Sequence, residues 1–289
     1  MFGKKIAALL LSAAALLGFS GCRQQNASGT ESAPVPAANA PMTVTVFDIG
    51  KADALVVQTS GSVTVIDTGN KGDGKKIEKF LAAQGIGRID ALIISHFDKD
   101  HVGGAARLIN RMEIGRIYVP DYTTDSEEYQ SFTEKTAEMQ SDVRTLAMRE
   151  SVTWTADDAA FSLYAPNETF YGNNEENDFS LCLLVQHGAN KFLFTGDAEE
   201  AREKEIMALG IGPVDFLKFP YHGNYLPTTE EFLDAVQPKT AVICCSEKDF
   251  ADPSTVETLE KRGIEAYYTS SGTVTVVSDG STLQCSQAE

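Results

Sequence analysis

Two imidazoles and two carboxylates fall within six consecutive positions of this chain: His96, Asp98, Asp100 and His101. They follow an apolar run at residues 91–94 and precede a Gly-Gly pair, the pattern of a buried strand that ends where a helix begins. The sheet fixes the backbone at the end of such a strand, so side chains there can be held at coordination distance. Imidazole nitrogens and carboxylate oxygens together suit zinc, manganese or iron. A solvated charged loop is the alternative, but the interleaved aspartates favour a metal site.

Five more polar residues stand at similar points along the chain. Asp67 precedes Thr-Gly after a hairpin, Asp197 ends a Thr-Gly-Asp segment, and His222 precedes a glycine at the end of an apolar run. Taken singly, Asp67 fits a turn residue, Asp197 a helix cap and His222 a structural histidine. Lys218 and Tyr221, just before His222, could contact an anionic substrate or leaving group, or could simply pack at the strand end.

The elements that must position these residues form two similar halves. The predicted strands and helices of the two halves lie at residues 43–48, 54–59, 63–67, 75–84 and 91–94, and at residues 181–186, 191–195, 199–209 and 214–219. Gly-Ile-Gly-Arg-Ile-Asp at residues 85–90 matches Gly-Ile-Gly-Pro-Val-Asp at residues 210–215. A duplicated β-β-α-β unit would bring two sets of strand ends to one edge of a sandwich. Chance similarity between short αβ units is the alternative.

The N-terminal segment has the composition of an export signal followed by a tether. Two lysines precede an apolar stretch at residues 6–19, which is too short for a confident membrane span. Cys22 follows Ser-Gly and resembles the lipidated cysteine of bacterial lipoproteins, with ordinary secretion as the alternative. We therefore predict a signal peptide at residues 1–21, a flexible tether at 22–41 and one domain at 42–289. The predicted location is outside the cytoplasmic membrane, held there by a lipid anchor.

The charge balance is strongly acidic. The formal net charge is −17, and loss of Lys4 and Lys5 with the signal would make it −19. An acidic surface does not favour broad electrostatic capture of nucleic acid, although metal ions in a cleft could reverse the sign locally. The charge therefore counts only weakly against a nucleic-acid substrate.

The remaining cysteines and the fourth histidine carry no clear motif. Sequence cannot pair the cysteines, and most of them are expected to be small buried residues. They are Cys182, Cys244, Cys245 and Cys285. His187 precedes a predicted hairpin turn and is expected to be exposed.

The order of the motifs resembles the metallo-β-lactamase superfamily, whose domains are αββα sandwiches with a metal site along one edge. That order is Asp-Thr-Gly, His-x-x-x-Asp-His-x-Gly-Gly, Gly-Asp and a late His-Gly. Within the superfamily the chain looks like the hydrolase domain of ComEC-type DNA-uptake competence proteins. That likeness is carried by residues 46–54, by Asp98 where most members have histidine, and by residues 217–223. It spans roughly residues 43–277.

The resemblance implies a centre for one or two divalent metal ions, zinc or manganese. His96 and Asp98 would contribute to one site. The second site would be formed by Asp100, His101 and His222. Asp197 would bridge the two sites. No counterpart of the superfamily's third-motif histidine is present, so Asn177 or Ser180 could complete a weaker first site. Asp67 would have a supporting role, and Tyr221 replaces a histidine common in the subgroup.

The function implied by this resemblance is phosphodiester hydrolysis, with DNA as the favoured substrate. A divalent ion lowers the pKa of bound water from 15.7 to about 7 and so supplies hydroxide at neutral pH. Asp100 would serve as ligand and orienting base. Alternatives are a secreted metallo-hydrolase of another ester or amide, and a degenerate, non-catalytic binding lipoprotein. Asp98 and the missing third-motif histidine argue against a β-lactamase.

Overall fold

The computed structural model describes residues 40–172 and 176–288, so the predicted signal peptide, Cys22 and most of the tether lie outside the described residues. The described strands are β1 (Met42–Val46), β2 (Ala54–Gln58), β3 (Val63–Thr68), β4 (Arg88–Ile93), β5 (Glu113–Pro120), β6 (Val143–Leu146), β7 (Ser151–Ala156), β8 (Ala159–Tyr164), β9 (Cys182–His187), β10 (Asn190–Phe194), β11 (Phe216–Lys218), β12 (Thr240–Ile243), β13 (Glu265–Tyr268), β14 (Val274–Ser278) and β15 (Leu283–Gln287). The helices are α1 (Gly74–Ala83), α2 (Lys99–Val102), α3 (Ala105–Arg111), α4 (Glu127–Glu138), α5 (Glu200–Ala208), α6 (Thr229–Val236) and α7 (Pro253–Arg262).

The strands form two mixed sheets. One has the order β15-β14-β1-β2-β3-β4-β5-β6, and the other has the order β13-β12-β11-β10-β9-β8-β7. In the first sheet β3 to β6 are parallel, and in the second β10 to β13 are parallel. The remaining pairs are antiparallel. The predicted α/β sandwich is confirmed.

Three apolar layers hold the sandwich together. Strand β2 shows why: Leu55 and Val57 belong to the core between the sheets, whereas Ala54 and Val56 alternate to the opposite face and pack with α1 and α3. Both faces of this strand are buried, as expected for a sheet that is covered on each side. The third layer packs α5, α6 and α7 against the second sheet.

The internal repeat predicted from the sequence agrees with the topology. In the first half an antiparallel β2–β3 pair leads through α1 to β4, which runs parallel to β3. In the second half an antiparallel β9–β10 pair leads through α5 to β11, which runs parallel to β10. The two halves therefore end equivalent strands at equivalent points, and the polar residues follow those ends.

Two expectations about single residue types can be compared with the structure. The prediction that His187 is exposed is wrong: the residue is buried, with Nδ1 at 2.8 Å from Ser278 Oγ and Nε2 at 3.0 Å from Ala40 O. Cys182, Cys244 and Cys245 are buried free thiols, as expected.

Among residues 40–172 and 176–288, each helix is too short or too polar to cross a membrane.

Candidate metal centre

The predicted ligands meet where strands of both sheets end. The loop after β4 carries His96 and Asp98, and the short helix α2 that follows carries Asp100 and His101. The turn after β10 carries Asp197, and the short turn after β11 carries His222. Tight packing brings the first loop close: a Cβ built on Gly104 would lie only 2.3 Å from Thr68 O. Glycine at that position is therefore what lets the loop and the start of α3 approach the end of β3.

Two of the histidines have one ring nitrogen fixed by an acceptor behind the ring. His101 Nδ1 lies 2.9 Å from Asp67 Oδ2, and His222 Nδ1 lies 2.9 Å from Cys244 O. A carboxylate and a backbone carbonyl only accept hydrogen bonds, so each Nδ1 carries the hydrogen. In the neutral ring this leaves the lone pair on Nε2, the arrangement in which protein histidines bind metal ions.

His96 is held in the same way by hydroxyl groups. Its Nδ1 lies 3.0 Å from Ser95 Oγ and 3.4 Å from Ser180 Oγ. Its Nε2 lies 3.7 Å from Asp98 Oδ2. Asp98 occupies the N-cap position of α2 but makes no side-chain capping bond there, so its carboxylate is available to the site.

The carboxylates face the Nε2 side of the rings. Asp197 Oδ2 lies 2.9 Å from His222 Nε2 and 3.3 Å from His101 Nε2, and Asp100 Oδ2 lies 3.2 Å from His222 Nε2. Within the described part of the chain, the Nε2 atoms of His96, His101 and His222 are buried and have no hydrogen bond of acceptable geometry. Buried polar atoms without a partner are costly. The histidine Nε2 atoms and the carboxylate oxygens lie close together but do not form hydrogen bonds with one another. This is the arrangement expected of side chains that bind the same metal ion.

The electrostatics of the cluster favour positive charge between these groups. Burial alone would lower the pKa of His222, but Asp197, Asp100 and Asp53 together raise it to about 9. Burial likewise opposes ionisation of Asp197, yet His222, His101 and Lys218 hold its pKa well below the usual value. The donor set and its charges therefore fit a divalent metal ion, which would take the place of protons on the rings.

The backbone at the site is held in unusual conformations. Asp67, Tyr221 and His222 have φ angles of +54°, +47° and +52°, and none of them is a glycine. A left-handed conformation costs a non-glycine residue about 1–2 kcal/mol. Two such residues in succession turn the chain after β11 so that the His222 ring meets Cys244 O on one side and Asp197 on the other. Such outliers cluster at functional sites.

The helix cap that Asp197 could have supplied is made by another residue. Asp178 Oδ1 accepts hydrogen bonds from Glu199 N at 2.9 Å and Arg202 N at 3.1 Å, at the start of α5. The Arg202 guanidinium is buried and donates to Ser180 O, which anchors this segment. The Asp197 carboxylate is thus free to face the histidines. The sequence did not indicate that Asp178 caps α5, because Asp178 lies 21 positions before Glu199 in the chain.

Ser180 and Asn177 lie in the segment where the superfamily has its third-motif histidine. Ser180 Oγ accepts a hydrogen bond from Asp197 N at 3.1 Å and approaches His96 on its Nδ1 side. It therefore positions the predicted ligands from behind. Asn177 donates to Glu199 Oε1 at 2.7 Å, and its buried Oδ1 accepts no hydrogen bond from the residues that the structure describes.

Lys218 and Tyr221 differ sharply in accessibility. The side chain of Lys218 is 1% exposed, and its Nζ lies 2.9 Å from Gly196 O and 3.2 Å from Asp197 Oδ1. This inward position does not fit the predicted contact with substrate and favours the alternative, packing at the strand end. Tyr221 is partly exposed; burial, together with Glu199 and Asp197, raises the pKa of its phenol, which stays protonated.

Asp53 is the main site residue that sequence reasoning missed. It is buried and forms an ion pair with Lys218. Four buried residues offer possible ligand atoms within 4.8 Å of one another: Asp53, His101, Asp197 and His222. Asp53 is nevertheless on the Nδ1 side of the rings, 3.7 Å from His222 Nδ1 and 3.9 Å from His101 Nδ1. It therefore lies behind the ligands that Asp197 faces.

A small acidic cavity opens beside the cluster. Its volume is about 270 Å³. Four carboxylates and one lysine are among its lining residues, which are Phe97, Asp98, Lys99, Asp100, Thr124, Ser126, Glu128 and Glu176. Metal ions bound by Asp98 and Asp100 would offset part of this negative charge.

Residues 48–247 match the family described as the metallo-β-lactamase superfamily. The chain belongs to this superfamily. Recombination protein 2 of Haemophilus influenzae is 28% identical over 205 residues, covering 69% of this chain and 24% of the relative. ComE operon protein 3 of Bacillus subtilis is 30% identical over 172 residues, covering 58% of this chain and 21% of the relative. The chain thus spans about a quarter of these relatives. Competence protein ComA of Neisseria gonorrhoeae is 28% identical over 202 residues, covering 69% of this chain and 26% of the relative, which confirms the predicted resemblance to competence proteins.

Solved structures share the fold at low sequence identity. Zinc-bound PqqB from Methylobacterium extorquens superposes with a TM-score of 0.52 at 12% identity, over 78% of this chain and 97% of that one. CmlA, a diiron β-hydroxylase from Streptomyces venezuelae, gives 0.50 at 15% identity, over 89% and 55%. As a superfamily member with a buried Asp/His cluster, this chain has the features of a metal-dependent hydrolase.

Proposed function

We propose that this protein is a metal-dependent phosphodiesterase that cleaves DNA outside the cytoplasmic membrane. The observation that carries the proposal is the convergence of three histidine Nε2 atoms on carboxylate oxygens, with each Nδ1 already engaged. The names of the sequence relatives, a recombination protein and a ComE operon protein, support DNA as the substrate.

The proposed ligands divide into two groups. His101, His222 and Asp100 would hold one ion, Asp197 would bridge, and His96 with Asp98 would hold a second, weaker ion. Such ions supply water activation and stabilise charge on the phosphoryl oxygens. Zinc and manganese both suit a shell of nitrogen and carboxylate oxygen, and the fold holds zinc in PqqB and iron in CmlA.

The chain's own residues would contribute orientation and proton handling. Beside His101 and His222 the pKa values of Asp100 and Asp197 are lowered despite burial, and a metal ion in place of the ring protons would likewise keep both carboxylates ionised. An ionised Asp100, with its side chain 22% exposed, can accept a hydrogen bond from an attacking water. Tyr221 keeps its proton and can donate a hydrogen bond to a leaving oxygen.

The proposed location follows from the N-terminal segment. A lipid on Cys22 would tether the domain to the outer face of the cytoplasmic membrane, with secretion as the alternative. Globomycin, an inhibitor of lipoprotein signal cleavage, should cause the precursor to accumulate in a bacterial host. Replacing Cys22 with serine should release the protein from membranes into the soluble fraction.

The acidic cavity supports a second candidate, hydrolysis of a small ester or amide other than DNA. Glu128 and Glu176 line that cavity together with two predicted ligands. These carboxylates do not favour the binding of a polyanion such as DNA. A degenerate binding lipoprotein is the non-enzymatic alternative.

One set of assays separates these functions. Purified protein is treated with chelator, reloaded with Mn²⁺ or Zn²⁺, and incubated with linear DNA, bis-p-nitrophenyl phosphate or nitrocefin. Cleavage of DNA and the diester that is lost in D197A and H101A but kept in the surface control D142A supports the proposal. Hydrolysis of nitrocefin alone overturns it, and bound metal without turnover of any substrate favours the binding protein.

A further inference from the structure

Lys218 and Asp53 form an ion pair buried behind the candidate metal centre. Both side chains are 1% exposed. Lysine and aspartate are rarely buried to this degree unless they are paired, because removing each charge from water is costly. No proposed catalytic step uses either residue, so the pair requires another explanation.

The Lys218 ammonium contacts three oxygen atoms, two of which belong to the turn after β10. They belong to the Asp53 carboxylate, to Gly196 O at 2.9 Å and to Asp197 Oδ1 at 3.2 Å. Gly196 has φ +56°, and a Cβ there would lie 2.7 Å from Ser180 Oγ. The ammonium therefore holds both the backbone and the side chain of a tight turn that bears a predicted ligand.

As a result, the two oxygen atoms of the Asp197 carboxylate face different partners. Oδ1 faces Lys218, whereas Oδ2 faces His222 Nε2 at 2.9 Å and His101 Nε2 at 3.3 Å. With Oδ1 held, rotation about the Cβ–Cγ bond would break the lysine contact. Oδ2 is thus kept towards the histidines before any ion arrives.

Asp53 secures the opposite side of the ammonium. Its backbone is fixed at two points: Asp53 N donates to Asp100 O at 3.1 Å, and Asp53 O accepts from Gly69 N at 2.7 Å. The carboxylate therefore has a fixed position from which to orient Lys218. Its place behind the rings separates it from the Nε2 atoms that face Asp197.

We infer that Lys218, oriented by Asp53, is a positioning residue that presents Asp197 Oδ2 to the metal ions. The inference rests on the proposed function in one respect, that Asp197 is a metal ligand. Ligand orientation by neighbouring groups typically changes metal affinity 10- to 100-fold. A simple charge effect has the opposite sign, since removing an ammonium beside a cation site should strengthen cation binding.

The test is a titration of chelator-treated full-length protein with Co²⁺, followed by visible absorption. The variants are K218M, D53N and the double variant D53N/K218M, with K239M as the matched control. Lys239 also pairs with an aspartate, Asp215, but its side chain is 78% exposed. We expect Co²⁺ affinity about 10- to 100-fold weaker in K218M, a smaller loss in D53N and no change in K239M.

The double variant distinguishes positioning from charge balance. It leaves neither partner buried and unpaired, so it should fold even if K218M does not. Positioning predicts that its Co²⁺ affinity stays as low as that of K218M and that its cobalt absorption bands differ from the wild-type bands. Wild-type affinity and spectrum in the double variant, or tighter binding in K218M, would overturn the inference. Failure of the wild-type protein itself to bind Co²⁺ would instead refute the metal centre.

Discussion

His101 Nδ1 lies 2.9 Å from Asp67 Oδ2, and both residues are fully buried. Asp67 also accepts hydrogen bonds from Ser95 N at 2.7 Å and from Ser95 Oγ at 2.6 Å. Both of its carboxylate oxygens are therefore occupied as acceptors, in a backbone conformation with φ +54°. This carboxylate–histidine pair fixes which nitrogen of His101 faces Asp197.

Replacing Asp67 with asparagine should weaken metal binding about 10- to 100-fold. The amide has only one oxygen, and Ser95 N requires an acceptor at Oδ1, so the NH₂ group would face the N–H of His101. The ring would then lose its fixed tautomer. Isothermal titration of the chelator-treated protein with Mn²⁺ measures the loss, with D142N as the surface control. An unchanged dissociation constant would show that Asp67 is only a turn residue.

Replacing His96 with alanine should remove one of two metal ions per chain. Among the described residues, the carboxylate within 4.0 Å of a His96 ring nitrogen is that of Asp98, at 3.7 Å, whereas His222 has Asp197 and Asp100 within 3.2 Å. The ion beside His96 is therefore expected to be the weaker one. Metal analysis after gel filtration should give about two Mn²⁺ per wild-type chain at saturation and about one in H96A. Loss of the tighter ion in H96A would contradict this division.

Replacing Gly104 with alanine should destabilise the fold that brings the loop to the site. The added methyl group would lie 2.3 Å from Thr68 O and 2.6 Å from Gly74 N, and both are backbone atoms that cannot rotate away. Overpacking of this kind costs about 1–3 kcal/mol, which lowers the melting temperature of a domain this size by roughly 2–10 °C. Thermal denaturation followed by circular dichroism measures the shift.

The control for that substitution is Gly87, where an added Cβ meets nothing within 4 Å. G87A should melt within about 1–2 °C of the wild-type protein, since surface substitutions usually change stability by under 0.5 kcal/mol. Equal melting temperatures for G104A and G87A would mean that the close approach is not required.

Glu203 should make stability depend on pH in the weakly acidic range. Burial, with Asp178 and Glu200, outweighs the hydrogen bond from Thr228 and raises its pKa from 4.5 to about 7. Between these two values the folded chain keeps a proton that the unfolded chain loses. The stabilising contribution is therefore full below pH 4.5 and is lost as the pH rises to 7.

In E203Q that dependence should disappear. The difference in unfolding free energy between E203Q and the wild-type protein should grow by up to roughly 3 kcal/mol from pH 4.5 to 8, in favour of E203Q. Urea denaturation at several pH values measures it, and E231Q, an exposed residue on α6, should follow the wild-type curve. Parallel curves for E203Q and wild type would show that Glu203 does not titrate in this range.

Much of the site could be predicted because its residues follow strand ends in a fixed order. His96, Asp197 and His222 each lie within four residues of the end of an apolar strand, and a sheet brings such positions together; His101 follows on the segment that His96 begins. The sequence could not indicate the direction of Lys218, since a residue at a strand end can face inward or outward. Only the tertiary contact with Asp53 decides between them.

The fold was predicted less completely where the strands are short or polar. β2 and β3 each differ from the predicted bounds by one residue at the C-terminal end, and α1 begins and ends one residue earlier than predicted. Strands β7 and β15 have exposed residues at alternate positions and no continuous apolar run, so the sequence does not predict them as strands. The capping role of Asp178 could not be predicted because its carboxylate accepts a hydrogen bond from the amide of Glu199, which lies 21 positions later in the chain.

The most direct test of the central claim is the rate of bis-p-nitrophenyl phosphate hydrolysis as Mn²⁺ is returned to chelator-treated protein. We expect no turnover without metal, saturable turnover as Mn²⁺ is added to the wild-type protein and to D142A, and at least a 100-fold lower rate in D197A at every concentration. Equal rates in D197A and wild type, or turnover that survives chelation, would contradict a metal-dependent phosphodiesterase centred on this cluster.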